Sequence, residues 1–199
     1  GHAHSWGNYV SPTLFDTQPE FFALGADGQR KNNGWICTSN PALRAHFASN
    51  VVAAIERGTR NPSLSPTDGR GYCQCPACKA QDDPNSIEPS SGTVAVSNRY
   101  VDFFDGVARS LARSHPGSVL SFYCYADYTQ PPTVTRKLSP NLCAVIAPIV
   151  VASGCLNSPE GEAIVIKVPT HDFGVVNDDK DVLTHRFRVA SRSEEHTSE

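Results

Sequence analysis

The sequence contains no methionine, only two tryptophans, and no marked excess of charge of either sign. Its 17 basic residues against 20 acidic ones give a net charge of -3, and the pI near 6.2 lacks the basic footprint of a nucleic-acid binder. No run of about 18 apolar residues occurs, the length needed to cross a bilayer, so neither a nucleic-acid nor a membrane partner is expected. No glycine-rich phosphate loop follows any apolar run, which counts against a doubly wound nucleotide-binding sheet. The missing methionine, and a first residue, Gly1, set in what reads as the end of a strand, lead us to expect an internal piece of a longer protein. The sequence leaves the oligomeric state open.

Cysteine, by contrast, is plentiful, with seven residues: Cys37, Cys73, Cys75, Cys78, Cys124, Cys143 and Cys155. The odd number argues against a fully paired disulfide framework. Cys124 and Cys143 stand in apolar runs and read as small buried hydrophobes. The other dense group lies in residues 61–78, NPSLSPTDGRGYCQCPAC. A short strand at residues 63–65 breaks at Pro66, and Asp68 follows on a turn flanked by Gly69 and Gly71. Then come Cys73, Cys75 and Cys78. A strand ending in a turn that carries a carboxylate is how barrel enzymes build their active faces. Three thiolates plus Cys37 could hold a structural zinc. The spacing C-x-C-x-x-C lacks a second C-x-x-C pair, so a local disulfide or reduced thiols packing the loop remain alternatives. No other cofactor is expected.

Around this stretch the chain alternates helix and strand. Asn40 caps a helix that Pro41 opens; Leu43, Phe47, Val51 and Ile55 recur every four residues, and Gly58 closes it. Residues 81–92 are polar and carry two prolines, so a loop is expected. A second helix, from about 98 to 114, carries an apolar stripe of Tyr100, Phe103, Phe104, Val107, Ala108 and Leu111, with Asp105 and Arg109 paired on the opposite side. Residues 118–126, SVLSFYCYA, form a buried strand ending at Asp127, and residues 142–151 form another. Continuous apolar strands between helices suit a parallel sheet covered on both faces. The fold class expected is α/β, a partial (β/α) TIM-like barrel of about four βα units with an irregular C-terminal segment. Residues 1–150 would form that barrel domain. Residues 151–191 are either divergent or frame-shifted, and residues 192–199, RSEEHTSE, look like a translated sequencing adapter.

Several motifs occur in order: His4-x-Trp6, Pro19-Glu20-Phe21-Phe22-Ala23-Leu24, Ile36-Cys37-Thr38-Ser39-Asn40-Pro41, Ser65-Pro66-x-Asp68-Gly69 with the three cysteines, and Tyr125 with Pro131-Pro132. Together they resemble the bacterial domain-of-unknown-function family DUF4838, over about residues 1–149. That family looks like a relative of α-glucuronidases and other TIM-barrel glycosidases, and its members are often exported. The resemblance implies a glycoside hydrolase-like domain acting on a polysaccharide or uronide, in the periplasm or outside the cell, with a carbohydrate as partner. The alternatives are a non-catalytic carbohydrate-binding barrel and a metal-stabilised structural module.

Glycoside hydrolysis needs two carboxyl groups across the scissile bond. Asp68 and Asp127 both follow expected strands and are the candidates, against the plainer reading of turn-capping aspartates. Trp6, Trp35 and Tyr125 suit stacking on a sugar's apolar face, with core packing an equal alternative for Tyr125. His4 could hydrogen-bond hydroxyls, and Arg30 could pair with a uronate carboxylate or simply lie on the surface.

Overall fold

A computed structural model describes residues 3–135 and 137–146. The expected helices form where their signals lie. Helix α1 is one turn, Trp6–Tyr9. Helix α2 runs Pro41–Glu56, and the Asn40 side chain accepts from the Ala42 and Leu43 amides at 2.9 and 3.1 Å. Leu43, Phe47 and Val51 are buried, with Ala48 beside them, but in the last turn the buried residue is Ala54 rather than Ile55. The reason is the helical period: three steps of four residues turn about 120° past a full number of turns, whereas Ala54 comes back to within about 20° of Leu43.

A second short helix, α3, spans Pro76–Lys79. The polar segment after it is not all loop, because Ile87–Glu88 (β1) pairs antiparallel with Thr93–Val94 (β2). Helix α4 spans Ser97–Leu111 and buries all six residues of its expected stripe. Its Asp105–Arg109 pair forms, with Nε 2.7 Å from Oδ2. However, Asp105 is buried, and its other oxygen accepts from the Ser139 amide at 2.7 Å. The pair therefore closes a packed seam and does not decorate an exposed face.

Strands β3 (Leu120–Cys124) and β4 (Leu142–Ile146) are parallel and in continuous register. On the other side of β3, Ser63 bridges Ser121 in parallel; the Leu64 amide reaches the Ser121 carbonyl at 2.7 Å and the Ser121 amide the Pro62 carbonyl at 2.9 Å. The N-terminal residues lie beyond that. The Ser5 amide donates to Ser65 at 3.0 Å, and Ser5 Oγ to the Ser63 carbonyl at 2.5 Å. Four backbone segments thus lie side by side in chain order. The chain is mixed α/β with small sheets, and a closed barrel is not present among the described residues.

Helices α2 and α4 cover one face of this arc, with the Phe47 and Phe103 rings 5.1 Å apart. Leu43, Phe47, Val51, Phe103, Phe104 and Val107 are fully buried, which is how a parallel sheet hides its apolar strands. One cysteine departs from expectation. Cys124 is buried, but Cys143 is exposed on β4, whose outer side bears no strand among the described residues. The remainder of the expected last strand, together with residues 151–191 and 192–199, lies outside the described residues.

Candidate functional site

The C-terminal ends of the parallel segments gather polar side chains. His4, just after Ala3, sends Nδ1 to the Pro66 carbonyl at 2.6 Å. A carbonyl only accepts, so this nitrogen carries the proton. The opposite ring nitrogen, Nε2, lies 3.6 Å from Asp68 Oδ1. Tyr125, one residue past β3, donates its hydroxyl to the same carboxylate oxygen at 3.3 Å. The Tyr123 and Tyr125 rings stand edge-on to His4, with centroids 5.6 and 5.8 Å away. Burial raises the Tyr125 pKa, and the Asp68 charge adds to the rise. Asp68 remains two-thirds exposed.

Asp127 differs in kind. Its side chain is almost wholly buried and accepts from Arg70, Nε to Oδ2 at 3.1 Å and Nη2 to Oδ1 at 3.2 Å. Arg70 itself is mostly exposed, so it presents a cation to solvent from a buried anchor. Burial raises the Tyr72 phenol, and the neighbouring Asp127 charge raises it further. That phenol has no hydrogen-bond partner of good geometry among the described residues. Between Tyr125 and Asp127, Ala126 adopts a left-handed φ of 49°. For a residue with a Cβ this costs on the order of 1–3 kcal/mol. The turn leaves Tyr125 half-exposed and Asp127 inside, and the Asp127 carbonyl is secured by the Val96 amide at 2.8 Å.

Behind this rim lie four buried thiols. Cys37, Cys73, Cys75 and Cys78 have all their sulfurs within 4.8 Å of one another. Cys37 Sγ is 3.6 Å from Cys75 Sγ and 3.9 Å from Cys78 Sγ. Tetrahedral zinc with Zn–S bonds of about 2.3 Å requires sulfurs about 3.8 Å apart, so the cluster could hold a metal such as zinc. Its surroundings suit thiolates. The Leu24 amide donates to Cys73 Sγ at 3.3 Å and the Cys78 amide to Cys75 Sγ at 3.4 Å. The Cys37 and Cys73 thiols beside Cys78 hold its pKa below the ordinary thiol range, while Cys37 and Cys78 push Cys73 above it. Arg99, buried on α4, donates to the Cys73 carbonyl at 2.7 Å while its guanidinium is forked onto Asp82, Nε to Oδ1 at 2.7 Å.

The remaining candidates fall elsewhere. Trp6 opens α1 instead of ending a strand, is 1% exposed, and donates Nε1 to the Leu64 carbonyl at 2.8 Å. Trp35 is 5% exposed and packs edge-on against Trp6 at 5.9 Å. Neither ring offers a face to a ligand, which corrects the stacking expectation: both fill the space where the loops meet the core. Arg30 donates to the Phe22 carbonyl beside the Leu24–Arg30 bridge, so its guanidinium ties a loop together rather than joining His4 and Asp68. The cation at the rim is Arg70. Its signal in the sequence was position, two residues past Asp68 between two glycines. Arg99 also went unremarked, although a charge beside the apolar stripe of α4 is the mark of a buried pair.

The described residues therefore define a mixed α/β protein with a polar rim at parallel strand ends and a four-cysteine centre behind it. The model of the domain of unknown function DUF4838 matches residues 1–162, and the chain belongs to that family. Comparison with curated proteins and with solved structures gave no match.

Proposed function

We propose that this chain supplies part of the sugar-handling rim of a glycoside hydrolase-like barrel acting on a polysaccharide or uronide. The observation that carries the reading is the convergence of His4, Asp68 and Tyr125 at the ends of adjacent backbone segments. Segments 3–5, 62–65, β3 and β4 lie in sequential order, as successive strands of a (β/α) barrel do, and barrel chemistry sits at that end. When the His4 ring is neutral its proton sits on Nδ1, and Nε2 then offers a lone pair beside a carboxylate oxygen 3.6 Å away. Two acceptors at that spacing match two neighbouring hydroxyl donors, the arrangement a pyranose ring presents. Tyr125 adds an amphipathic ring beside them, and Arg70 adds a cation able to meet a uronate carboxylate. Asp68 is the open carboxylate. Asp127, covered by Arg70, acts through that arginine, so the second carboxyl of a hydrolytic pair would come from outside the described residues.

The test is a screen of the protein against aryl glycosides, uronides and oligosaccharides, followed by saturation-transfer NMR and turnover assays. We expect a uronide or neutral sugar to perturb the His4 and Tyr125 signals, and Asp68→Asn to weaken binding at least about tenfold. If no sugar in the panel perturbs these residues, the reading fails. Turnover lost in Asp68→Asn with binding retained would place Asp68 in the chemistry; binding without any turnover favours the carbohydrate-binding alternative.

A second reading concerns the cysteines: we propose that they hold a structural zinc. The sulfur spacing supports it, as do the two amide donors to sulfur. Zinc content of the purified protein, measured by mass spectrometry before and after chelation, tests this directly.

A further inference from the structure

The thiols and the rim are not independent parts of the molecule. Segment 66–72, which carries Asp68 and Arg70, starts at the strand end and terminates at Cys73. Along its length it is laid against Gly34 and Trp35. Thr67 Oγ1 donates to the Gly34 carbonyl at 2.7 Å. A Cβ on Gly71 would lie 2.2 Å from Trp35 Cδ1, so the backbone there rests directly on the indole. Tyr72 stands edge-on to the same ring at 5.2 Å. Past it, Cys73 lies beside Leu24, the Gln74 amide donates to the Leu24 carbonyl at 2.8 Å, and Cys75 and Cys78 meet Cys37. Two loops from distant parts of the sequence are thus zipped together, and the zip is closed at one end by four sulfur atoms.

We infer that a metal ion bound by Cys37, Cys73, Cys75 and Cys78 is the clamp that fixes the Asp68–Arg70 loop, and so positions the rim without touching a ligand. The inference rests on the zinc reading. Its physical basis is loop closure. A segment pinned at both ends samples few conformations. Without the ion, segment 66–72 keeps the His4–Pro66, Thr67–Gly34 and Arg70–Asp127 bonds and its ring contacts, but its Cys73 end is tied only by single bonds from Leu24 and Arg99 and no longer to Cys37. Metal coordination joins Cys37 to the Cys73–Cys78 turn with bonds far stronger than the thiol contacts they replace. The cysteines are positioning residues: they act on His4, Asp68 and Arg70 through the backbone of 66–72.

Limited proteolysis reads this without a known substrate. Trypsin cuts after arginine, Arg70 is exposed, and Arg113 beyond the end of α4 is exposed as an internal control. The wild-type chain is used, because a cysteine variant can fail to fold. It is assayed as purified, after stripping with a chelator and reductant, and after zinc is restored. We expect one zinc per chain, a rise of at least about tenfold in cleavage at Arg70 on stripping, no change at Arg113, and recovery on reloading. The imidazole NMR signals of His4 should shift with metal occupancy while those of His115 stay in place. A protein free of metal overturns the zinc reading and the inference together. One zinc per chain with Arg70 cleavage unchanged overturns the inference and leaves the zinc reading standing. An equal rise at Arg70 and Arg113 means global unfolding and also overturns the inference.

Discussion

His4 faces Asp68 with its second ring nitrogen: Nδ1 is committed to the Pro66 carbonyl at 2.6 Å, and Nε2 lies 3.6 Å from Asp68 Oδ1. At that distance a neutral ring, with its lone pair opposite a carboxylate, shares no direct hydrogen bond with Asp68. The first prediction concerns the tautomer. At a pH where the imidazole is neutral, two-dimensional 1H–15N spectra should show His4 with the proton on Nδ1, the less common form. A spectrum with the proton on Nε2 would reverse the polarity of the site and remove the paired-acceptor argument. Replacing His4 by Phe should cost about 1 kcal/mol through the lost bond to Pro66.

Arg70 and Asp127 give the second prediction. Truncating Arg70 to Ala leaves a buried carboxylate without its partner, a cost of about 1–3 kcal/mol or more. Asp127→Asn leaves an exposed arginine that water can satisfy, so it should cost less. The double variant Arg70→Ala with Asp127→Asn should then be more stable than Arg70→Ala alone, because it no longer buries an unpaired charge. Urea denaturation of the three variants measures this; an additive double variant would mean that the two residues are not coupled.

The sequence made some of this legible and hid the rest for identifiable reasons. The Asn40-Pro41 cap and the α4 stripe were readable because caps and helical periodicity are local. That Cys37 joins Cys73, Cys75 and Cys78 was readable because tetrahedral metal chemistry asks for a fourth ligand. Trp6 and Trp35 misled, since composition shows that an indole is present but not which side of the chain it faces. Arg70 was passed over in favour of Arg30, although both lie in glycine-containing loops. Only the pairing of segment 62–65 with β3 shows which loop reaches the rim. The buried role of Asp105 was equally invisible, because its partner Ser139 lies 34 residues away.

Gly71 supplies the third prediction. A methyl group there meets the Trp35 ring at 2.2 Å, and that ring is itself boxed by Trp6 at 5.9 Å and Tyr72 at 5.2 Å. The indole cannot swing away without disturbing the core. Gly71→Ala should therefore destabilise by about 3 kcal/mol, at the upper end of overpacking effects. Gly7→Ala, where an added Cβ meets nothing within 4 Å, is the matched control. A melting temperature for Gly71→Ala equal to that of the control would show that segment 66–72 is looser than its contacts imply.

The last prediction is a loss of stability at alkaline pH. Burial raises the phenols of Tyr72, Tyr100 and Tyr128, with Asp127 adding to Tyr72, and pushes the Cys124 thiol up to about 12. In the unfolded chain the thiol titrates near about 8.5 and the phenols near about 10. Above those values the unfolded state has released protons that the native state still holds. It then binds fewer protons than the native state, so stability falls as pH rises, by up to about 1.4 kcal/mol per pH unit for each group. Stability from these groups is complete below about pH 8.5 and is lost progressively as pH climbs through the folded values, near 12 for Cys124. Urea denaturation at a series of pH values should show a plateau near neutrality and a decline beginning with the thiol. Cys124→Ala should flatten the first part of that decline, between about pH 8.5 and 10, and leave the phenol part intact. Because the four clustered cysteines are the same in both proteins, the difference belongs to Cys124. A variant whose pH profile runs parallel to the wild type throughout would mean that the thiol is not kept protonated by its burial.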